Sequence, residues 1–201
     1  MKTMIIASKN AGKIEEFKAL FHPAGFEVLS LLDLKDAPDV EETGQTFKEN
    51  ARLKAEAIAE KYGCYALADD SGLVIDALDG RPGVYSARYA GESKDDQMNI
   101  EKVLSELDGV PTERRTAHFC CVLAVATPNG PTFYAEGKCE GLIAETPKGN
   151  NGFGYDPIFF LPDKNRTFAE LTSVEKNTVS HRAMALQQLE KLLPGLAGED
   201  R

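Results

Sequence analysis

The sequence predicts a three-layer α/β protein built around a mixed β-sheet. Short apolar runs suited to buried strands alternate along the chain with longer segments whose apolar residues recur at helical spacing. Two apolar runs in the middle of the chain are joined only by Pro128-Asn129-Gly130-Pro131, a composition typical of a hairpin turn. Alternation favours parallel strands and the hairpin adds an antiparallel pair, so we expect both kinds of pairing in one sheet.

The first third of the chain predicts a strand, a helix, a second strand and a longer helix. Met4–Ala7 and Phe26–Leu34 are apolar runs of strand type, and Lys13–Phe21 between them has one apolar helical face. The longer helix follows an acidic loop, and Thr46 and Glu49 have the spacing of a capping box at its start.

The rest of the chain continues the alternation. The polar segment Asp69-Asp70-Ser71-Gly72 is expected to interrupt two strands, and Pro194-Gly195 is expected to stop the last helix. Because no linker, repeat or low-complexity segment divides it, we expect residues 1–201 to form one domain. The predicted elements are the strands Tyr65–Ala68, Leu73–Leu78, Thr116–Ala126, Thr132–Ile143 and Pro157–Leu161, and the helices Asp95–Leu107, Ser173–Asn177 and Ser180–Leu193.

Composition argues against several classes of partner. The net charge of −9 disfavours a nucleic-acid polymer or an anionic membrane, since both bind to broad basic surfaces. A small anion needs only a few cations in one place and stays open as a partner. The four cysteines form no CxxC pair, which favours reduced thiols, and no stretch approaches the roughly 18 apolar residues of a membrane span. We therefore expect a cytoplasmic protein that binds neither nucleic acid nor membrane.

The segment Ser8-Lys9-Asn10-Ala11-Gly12-Lys13 joins the first strand to the first helix. Such a loop presents backbone N–H groups and the positive end of the helix dipole, and Lys13 adds a full charge, which favours a bound phosphate. It is not a Walker A loop, because Ala7 and Ile14 replace that motif's first glycine and its Ser/Thr. Taken alone, the segment is equally compatible with a strand-to-helix turn that carries solvated lysines.

Two acidic segments are candidates for catalysis. Asp69 and Asp70 follow a buried strand, where ionised carboxylates are costly unless they are paired or bound to metal. One can bond to backbone amides while the other acts as a base beside a metal-polarised water, although a turn capped by aspartates is the alternative. Glu41-Glu42 could supply a second oxygen ligand for Mg²⁺, but a solvated acidic loop explains this pair better when it is taken alone.

A further polar group lies towards the C-terminus. The glycine-rich segment Gly152–Pro157 carries two aromatic residues and could admit a flat ligand for stacking. Asp156, His181 and Arg182 could read the edges of a nucleobase, and Lys176 or Arg182 could neutralise phosphate. The alternative is a strand that begins with aromatic residues, followed by a helix capped by serine. A lone histidine at the start of such a helix is more often structural than a ligand.

Together these segments resemble the inosine triphosphate pyrophosphatase family, whose members are also called XTP/dITP diphosphatases. The resemblance covers nearly the whole chain, and its motifs are weak singly but specific as an ordered set. The matching segments are Ser8–Lys13, Glu41–Gly44 with Phe47–Ala55, Ala68–Leu73, Pro82–Arg88, Gly152–Phe159 and Ser180–Arg182.

The resemblance implies a two-lobed α/β fold with an elongated mixed sheet, a cleft between the lobes, and a homodimer. It also implies Mg²⁺-dependent hydrolysis of ITP, dITP and XTP to the monophosphate and pyrophosphate. It makes Asp70 the general base and a metal ligand, with Glu41 as the second ligand and the adjacent Glu42 left open for that role. The substrate-binding residues that it implies are Ser8, Lys9, Asn10, Ala11, Gly12, Lys13, Ser71, Phe153, Gly154, Tyr155, Asp156, Lys176, His181 and Arg182.

Two other functions stay open at this stage. A Maf-like pyrophosphatase would act on other bases, but would lack the pairing of Gly152–Pro157 with Ser180–Arg182. A nucleotide-binding module without catalysis would gain nothing from carboxylates beside phosphate. A donor such as Arg182 or a backbone N–H would favour the 6-keto group of hypoxanthine and xanthine over the 6-amino group of adenine, but GTP shares that keto group.

Overall fold

A seven-stranded mixed β-sheet organises the chain in the computed structural model, which describes residues 2–198, the last three by backbone alone. The strand order is β2-β1-β3-β4-β5-β6-β7. Strand β1 runs parallel to β2 and to β3, whereas β6 is antiparallel to β5 and to β7. The predicted α/β class and mixed sheet are therefore confirmed. The strands are Lys2–Ile6 (β1), Phe26–Ser30 (β2), Tyr65–Ile75 (β3), Thr116–Ala126 (β4), Thr132–Ile143 (β5), Phe159–Leu161 (β6) and Arg166–Thr167 (β7).

Five α-helices are described among residues 2–198. The predicted capping box of α2 is present, since the Thr46 hydroxyl accepts from the Glu49 amide and the Glu49 carboxylate accepts from the Thr46 amide. Gly63 ends this helix in the left-handed conformation, with φ 64°, which glycine adopts without strain. The helices are Ala11–Phe21 (α1), Phe47–Tyr62 (α2), Asp96–Glu106 (α3), Ser173–Val179 (α4) and His181–Gly198 (α5).

Strand β3 is continuous, so the prediction that Asp69–Gly72 interrupts two strands was wrong. The interruption was expected because two adjacent aspartates are costly in a buried strand. In the structure both carboxylates have cationic partners: Asp69 pairs with Lys13, and Asp70 lies beside Lys54. This pairing reduces the cost of burying the two charges and allows the strand to continue to Ile75.

Two predicted boundaries also differ from the structure. Strand β2 ends at Ser30 rather than Leu34, because the Asp33 carboxylate accepts from the Ser30 amide and hydroxyl and forms a turn there. Helix α5 continues past Pro194 to Gly198. Proline removes one helical hydrogen bond, but its φ is compatible with a helix, so it did not act as the predicted stop.

The chain divides into two compact units. The first unit comprises the described residues of Met1–Asp70, Val122–Glu136 and Ala185–Arg201, and the second comprises Ser71–Cys121 and Gly137–Met184. The predicted assignment of the whole chain to a single domain stays a prediction.

Each unit has buried apolar residues that fix its functional loops. In the first unit, Ile14, Phe17 and Phe21 bury one face of α1, so the helix N-terminus is held at a fixed place next to β1. In the second unit, Phe119, Phe159 and Phe168 contact one another through their rings in an aromatic core.

No helix among the described residues is long and apolar enough to cross a membrane.

Candidate active site

The loop before α1 is shaped by its own side chains. Asn10 caps the helix, and its side-chain oxygen accepts from the Lys13 amide at 3.1 Å. The Ser8 hydroxyl accepts from the Asn10 amide at 3.1 Å. The other first-turn amides, of Ala11 and Gly12, have no preceding helical turn to supply an acceptor, so they can serve an anion.

Lys13 extends from this helix to the side chain of Asp69 on β3. Its ammonium nitrogen lies 2.6 Å from Asp69 Oδ2, and the carboxylate is 5% exposed while the lysine side chain is 20% exposed. The pair therefore places a partly accessible cation beside the helix N-terminus, where the sequence predicted a phosphate site.

Asp70 faces a different set of partners, as expected for adjacent residues of a strand. Asn50, which is buried on α2, donates to Asp70 Oδ2 at 3.1 Å, and Lys54 Nζ lies 3.7 Å from Asp70 Oδ1. Burial is the largest influence and raises the pKa of Asp70 to about 6, with Lys54 lowering it and Glu42 raising it. The carboxyl group is therefore poised to take up a proton near neutral pH.

Lys54 connects Asp70 to the acidic loop that precedes α2. Its ammonium donates to Glu42 Oε1 at 2.7 Å and to the Asp69 carbonyl oxygen at 2.7 Å. Burial alone would lower the pKa of Lys54, but the carboxylates of Asp70 and Glu42 outweigh burial and the pKa is raised. Lys54 is thus a charged ammonium surrounded by oxygen atoms.

The geometry distinguishes the two glutamates of the acidic loop. Glu42 is half-buried and shares Lys54 with Asp70, whereas Glu41 is exposed. The assignment of Glu41 as a metal ligand stays a prediction, and the contacts favour its neighbour Glu42 for that role.

Oxygen ligands for Mg²⁺ are present in this cluster. Glu42 Oε1 and Asp70 Oδ1 both approach one ammonium nitrogen, at 2.7 and 3.7 Å, so the two carboxylates are close enough to bind one cation together. Residues 2–198 contain no group of three or more His, Cys, Asp or Glu placed to hold a metal. Two carboxylates fit Mg²⁺ nonetheless, because that ion commonly takes its remaining oxygens from water and substrate phosphates.

In the second unit, Phe153 and Lys176 contact the carboxylate of Asp156. This carboxylate is 3% exposed and accepts from the Phe153 amide at 3.0 Å and from Lys176 Nζ. Burial raises the pKa of Asp156, against the lowering effect of Lys176. Phe153 is 61% exposed, and the Lys176 ammonium lies 5.0 Å from the centre of its ring.

Gly152 makes this loop possible. Its φ is 79°, and a Cβ atom there would lie 1.9 Å from Asp156 Oδ2. Any side chain would therefore displace the carboxylate that holds Phe153 and Lys176.

Other residues predicted to bind substrate have structural contacts in the second unit. Tyr155 is buried and donates through its hydroxyl to the Ser86 carbonyl at 2.8 Å, and the Gly154 amide donates to Asp96 at 2.7 Å. The His181 ring stacks on Phe119 at 4.8 Å between ring centres. Arg182 is half-buried and lies near enough to Asp156 to lower its pKa. Their roles in substrate binding stay predictions.

The remaining predicted residues occupy accessible places. Lys9 and Ala11 are exposed, and Ser71 is half-buried in β3 directly after Asp70. Asn50 and Lys54, which lie one helical turn apart on α2, were not predicted as site residues from the sequence. Their spacing of four residues, beside the apolar stripe of a capped helix, was the available signal.

An α/β protein with one lysine at a helix N-terminus, and a second lysine among carboxylates on the adjoining strand, is of the class that acts on phosphorylated substrates. The family model that describes the Ham1 family matches residues 4–192, and the chain belongs to this family.

Individual relatives agree with the family match. The chain is 60% identical over 198 residues to the dITP/XTP pyrophosphatase of Geobacillus kaustophilus, covering 98% of this chain and 97% of that protein. It is 60% identical over 193 residues to the Bacillus subtilis protein of the same name, covering 96% and 98%. The structure of the Staphylococcus aureus Ham1 protein has a TM-score of 0.92 and 46% identity, over 97% of this chain and 100% of that one.

Proposed function

We propose that this protein hydrolyses dITP, XTP and ITP to the nucleoside monophosphate and pyrophosphate, and so removes deaminated purines from the nucleotide pool. The observation that carries the proposal is the cluster in the first unit, where Asp69 of β3 contacts both Lys13, at the N-terminus of α1, and Lys54 of α2, which lies beside Asp70. The relatives at 60% identity bear the name of this activity.

The first requirement of the reaction is neutralisation of the triphosphate. Lys13 and the amides of Ala11 and Gly12 would bind phosphate oxygens, since ammonium and first-turn amide groups are donors without an accepting function. These donors are fixed by the cap at Asn10 and by Asp69, so little reorganisation is needed when charge develops at the reacting phosphorus.

The second requirement is a base for the attacking water. With a pKa of about 6, Asp70 is mostly ionised in neutral solution yet basic enough to accept a proton. Asn50 holds one carboxylate oxygen, and the other lies towards Lys54. Asp70 would take the proton from water as the water attacks the α-phosphorus, and pyrophosphate would leave.

We include Mg²⁺ dependence in the proposal, with Asp70 and Glu42 as its carboxylate ligands. Bound Mg²⁺ would neutralise phosphate charge and make a water molecule more acidic. Lys54, which contacts both carboxylates, would have to share them with the metal.

The base would be recognised by residues of the second unit. The exposed ring of Phe153 offers a stacking surface, and Arg182 and Lys176 offer donors that suit a 6-keto purine. A 6-amino group would place donor against donor, which can reduce activity by on the order of 10⁴-fold when a buried group is left unpaired.

A product assay tests the proposal. The protein would be incubated with dITP, XTP, ITP, GTP and ATP, with Mg²⁺ or with EDTA, and then removed by filtration. Excess Mg²⁺ would be added to every filtrate before phosphate is measured with and without inorganic pyrophosphatase. We expect phosphate from the 6-keto deaminated nucleotides only after inorganic pyrophosphatase is added, and only with Mg²⁺. Direct release of orthophosphate, or hydrolysis of none of these nucleotides, would refute the proposal.

A homodimer in the cytoplasm completes the proposal, on the basis of the family resemblance. Light scattering coupled to size-exclusion chromatography should give twice the mass of the chain, and cell fractionation should recover the protein with the cytosol. A monomer at micromolar concentration would contradict the first expectation.

A further inference from the structure

We propose that Asp69 is the positioning residue of Lys13, which it holds in place for the phosphates of the substrate. The inference rests on the proposed function, because it assigns a role within the same site. It gives the two adjacent aspartates of β3 different roles, since Asp70 acts on water whereas Asp69 acts through a lysine.

The contact between the two side chains is close and sheltered. Lys13 Nζ lies 2.6 Å from Asp69 Oδ2, and only 5% of the aspartate side chain is exposed. A charge-assisted hydrogen bond of this length to a buried partner fixes the end of an otherwise flexible side chain. An ammonium group has three donors, and the bond to Asp69 uses one of them.

The position of Lys13 explains why it needs such a partner. It lies at the third residue of α1, and its own backbone amide is bound to the cap at Asn10. Its four-carbon side chain has many rotamers, and ordering a lysine side chain costs up to roughly 2 kcal/mol of conformational entropy. Asp69 meets that cost during folding, so the ammonium is already ordered beside the first-turn amides.

Asp69 also has a contact through its backbone that anchors it. Its carbonyl oxygen accepts from Lys54 Nζ at 2.7 Å, while its carboxylate binds Lys13. Asp69 therefore contacts α2 through its main chain and α1 through its side chain. A substitution of the side chain changes the contact with Lys13 and leaves the main-chain hydrogen bond from Lys54 in place.

The alternative is a salt bridge that only joins α1 to β3. A double-mutant cycle separates the two roles, using Asp69→Asn, Lys13→Met and the double variant. Asparagine keeps the size of the side chain and one acceptor oxygen but removes the charge. Each variant would be measured for kcat and KM on dITP, for binding of inorganic pyrophosphate by calorimetry, and for its thermal midpoint.

If Asp69 acts through Lys13, Asp69→Asn should raise KM and weaken pyrophosphate binding by on the order of ten-fold, with a smaller effect on kcat. The same substitution should then have no further effect in the Lys13→Met background. Glu15→Gln is the matched control, because Glu15 pairs with Lys18 on the same helix at 3.2 Å and should leave KM unchanged.

Two results would overturn the inference. Multiplicative effects of the two substitutions on kcat/KM would show independent roles, and a lower thermal midpoint with unchanged KM and pyrophosphate binding would show a structural salt bridge. Failure of the proposed function is distinguishable, since the wild-type protein would then release no pyrophosphate from any nucleotide tested.

Discussion

Replacing Asp70 by asparagine should abolish activity and at the same time stabilise the metal-free protein. The pKa of this carboxyl is raised from 3.8 to about 6, chiefly by burial. The pKa of Asp70 is higher in the folded protein than in the unfolded chain. The contribution of the Asp70 carboxyl group to folding stability is therefore complete below the unfolded pKa and is lost as pH rises through the folded pKa. The interval between the two values corresponds to roughly 3 kcal/mol. Above about pH 7 the ionised Asp70 therefore costs the folded state about this much.

Urea unfolding in EDTA measures this cost as the difference in unfolding free energy between Asp70→Asn and wild type. Titrations of all other groups cancel in the difference to first order. The stabilisation should be small near about pH 4, grow up to about pH 7 and stay constant above it, at roughly 3 kcal/mol. A variant that is no more stable than wild type at about pH 8, or a difference independent of pH, would refute the reasoning.

Asp33→Asn is a control of opposite sign in the same unit. Hydrogen bonds from the Ser30 hydroxyl and amide lower the pKa of Asp33, so its contribution is present above the unfolded pKa and lost as pH falls through the folded one. Asparagine there should destabilise the protein at neutral pH.

Adding Mg²⁺ should stabilise wild type but have less effect on Asp70→Asn, because ligands stabilise the state that binds them.

Three further variants test other parts of the two clusters. Lys54→Met should lower kcat/KM at least roughly 100-fold, because it leaves the carboxylates that it joins without their ammonium; wild-type pyrophosphate release would contradict this. In Gly44→Ala the new Cβ would lie 2.7 Å from Asn50 Oδ1, so kcat should fall by about ten-fold as the hydrogen bond to the proposed base is disturbed. Gly195→Ala is its control, since a Cβ there meets nothing within 4 Å and activity should not change. Phe153→Leu should raise KM for dITP by roughly ten-fold at an unchanged thermal midpoint, because the ring is 61% exposed; an unchanged KM would exclude base stacking.

Much of the fold was predictable because local patterns decide it. The strands Thr116–Ala126 and Thr132–Ile143 have the predicted bounds, since long apolar runs on both sides of a Pro-Asn-Gly-Pro turn leave few alternatives. The capping box of α2 was predictable from two residues. The end of β2 was not, because it depends on the Asp33 carboxylate folding back onto Ser30 rather than on apolar content.

The site was predictable only where polar residues lie next to the predicted start of a helix. Ser8–Lys13 was expected at a helix N-terminus and lies there. Lys54 and Asn50 were not predicted, because a polar residue on a helix is usually solvated. Their place in the site depends on the packing of α2 against β3. The contact with Lys54 distinguishes Glu42 from Glu41, and residue spacing in the sequence does not predict that contact.

The alternation of β3 explains why one strand can serve two helices. Adjacent side chains point to opposite faces, so Asp69 reaches Lys13 on α1 while Asp70 reaches Asn50 and Lys54 on α2. Asp69, which accepts from the Lys13 ammonium at 2.6 Å, is suited to hold a cation in place. The aspartate with a raised pKa and a longer contact of 3.7 Å is suited to exchange a proton. Exchanging the two environments would require a shift of one residue along the strand, which would reverse every side chain of β3, including the buried Leu67 and Leu73. The division of roles is therefore fixed by the same register that buries the core.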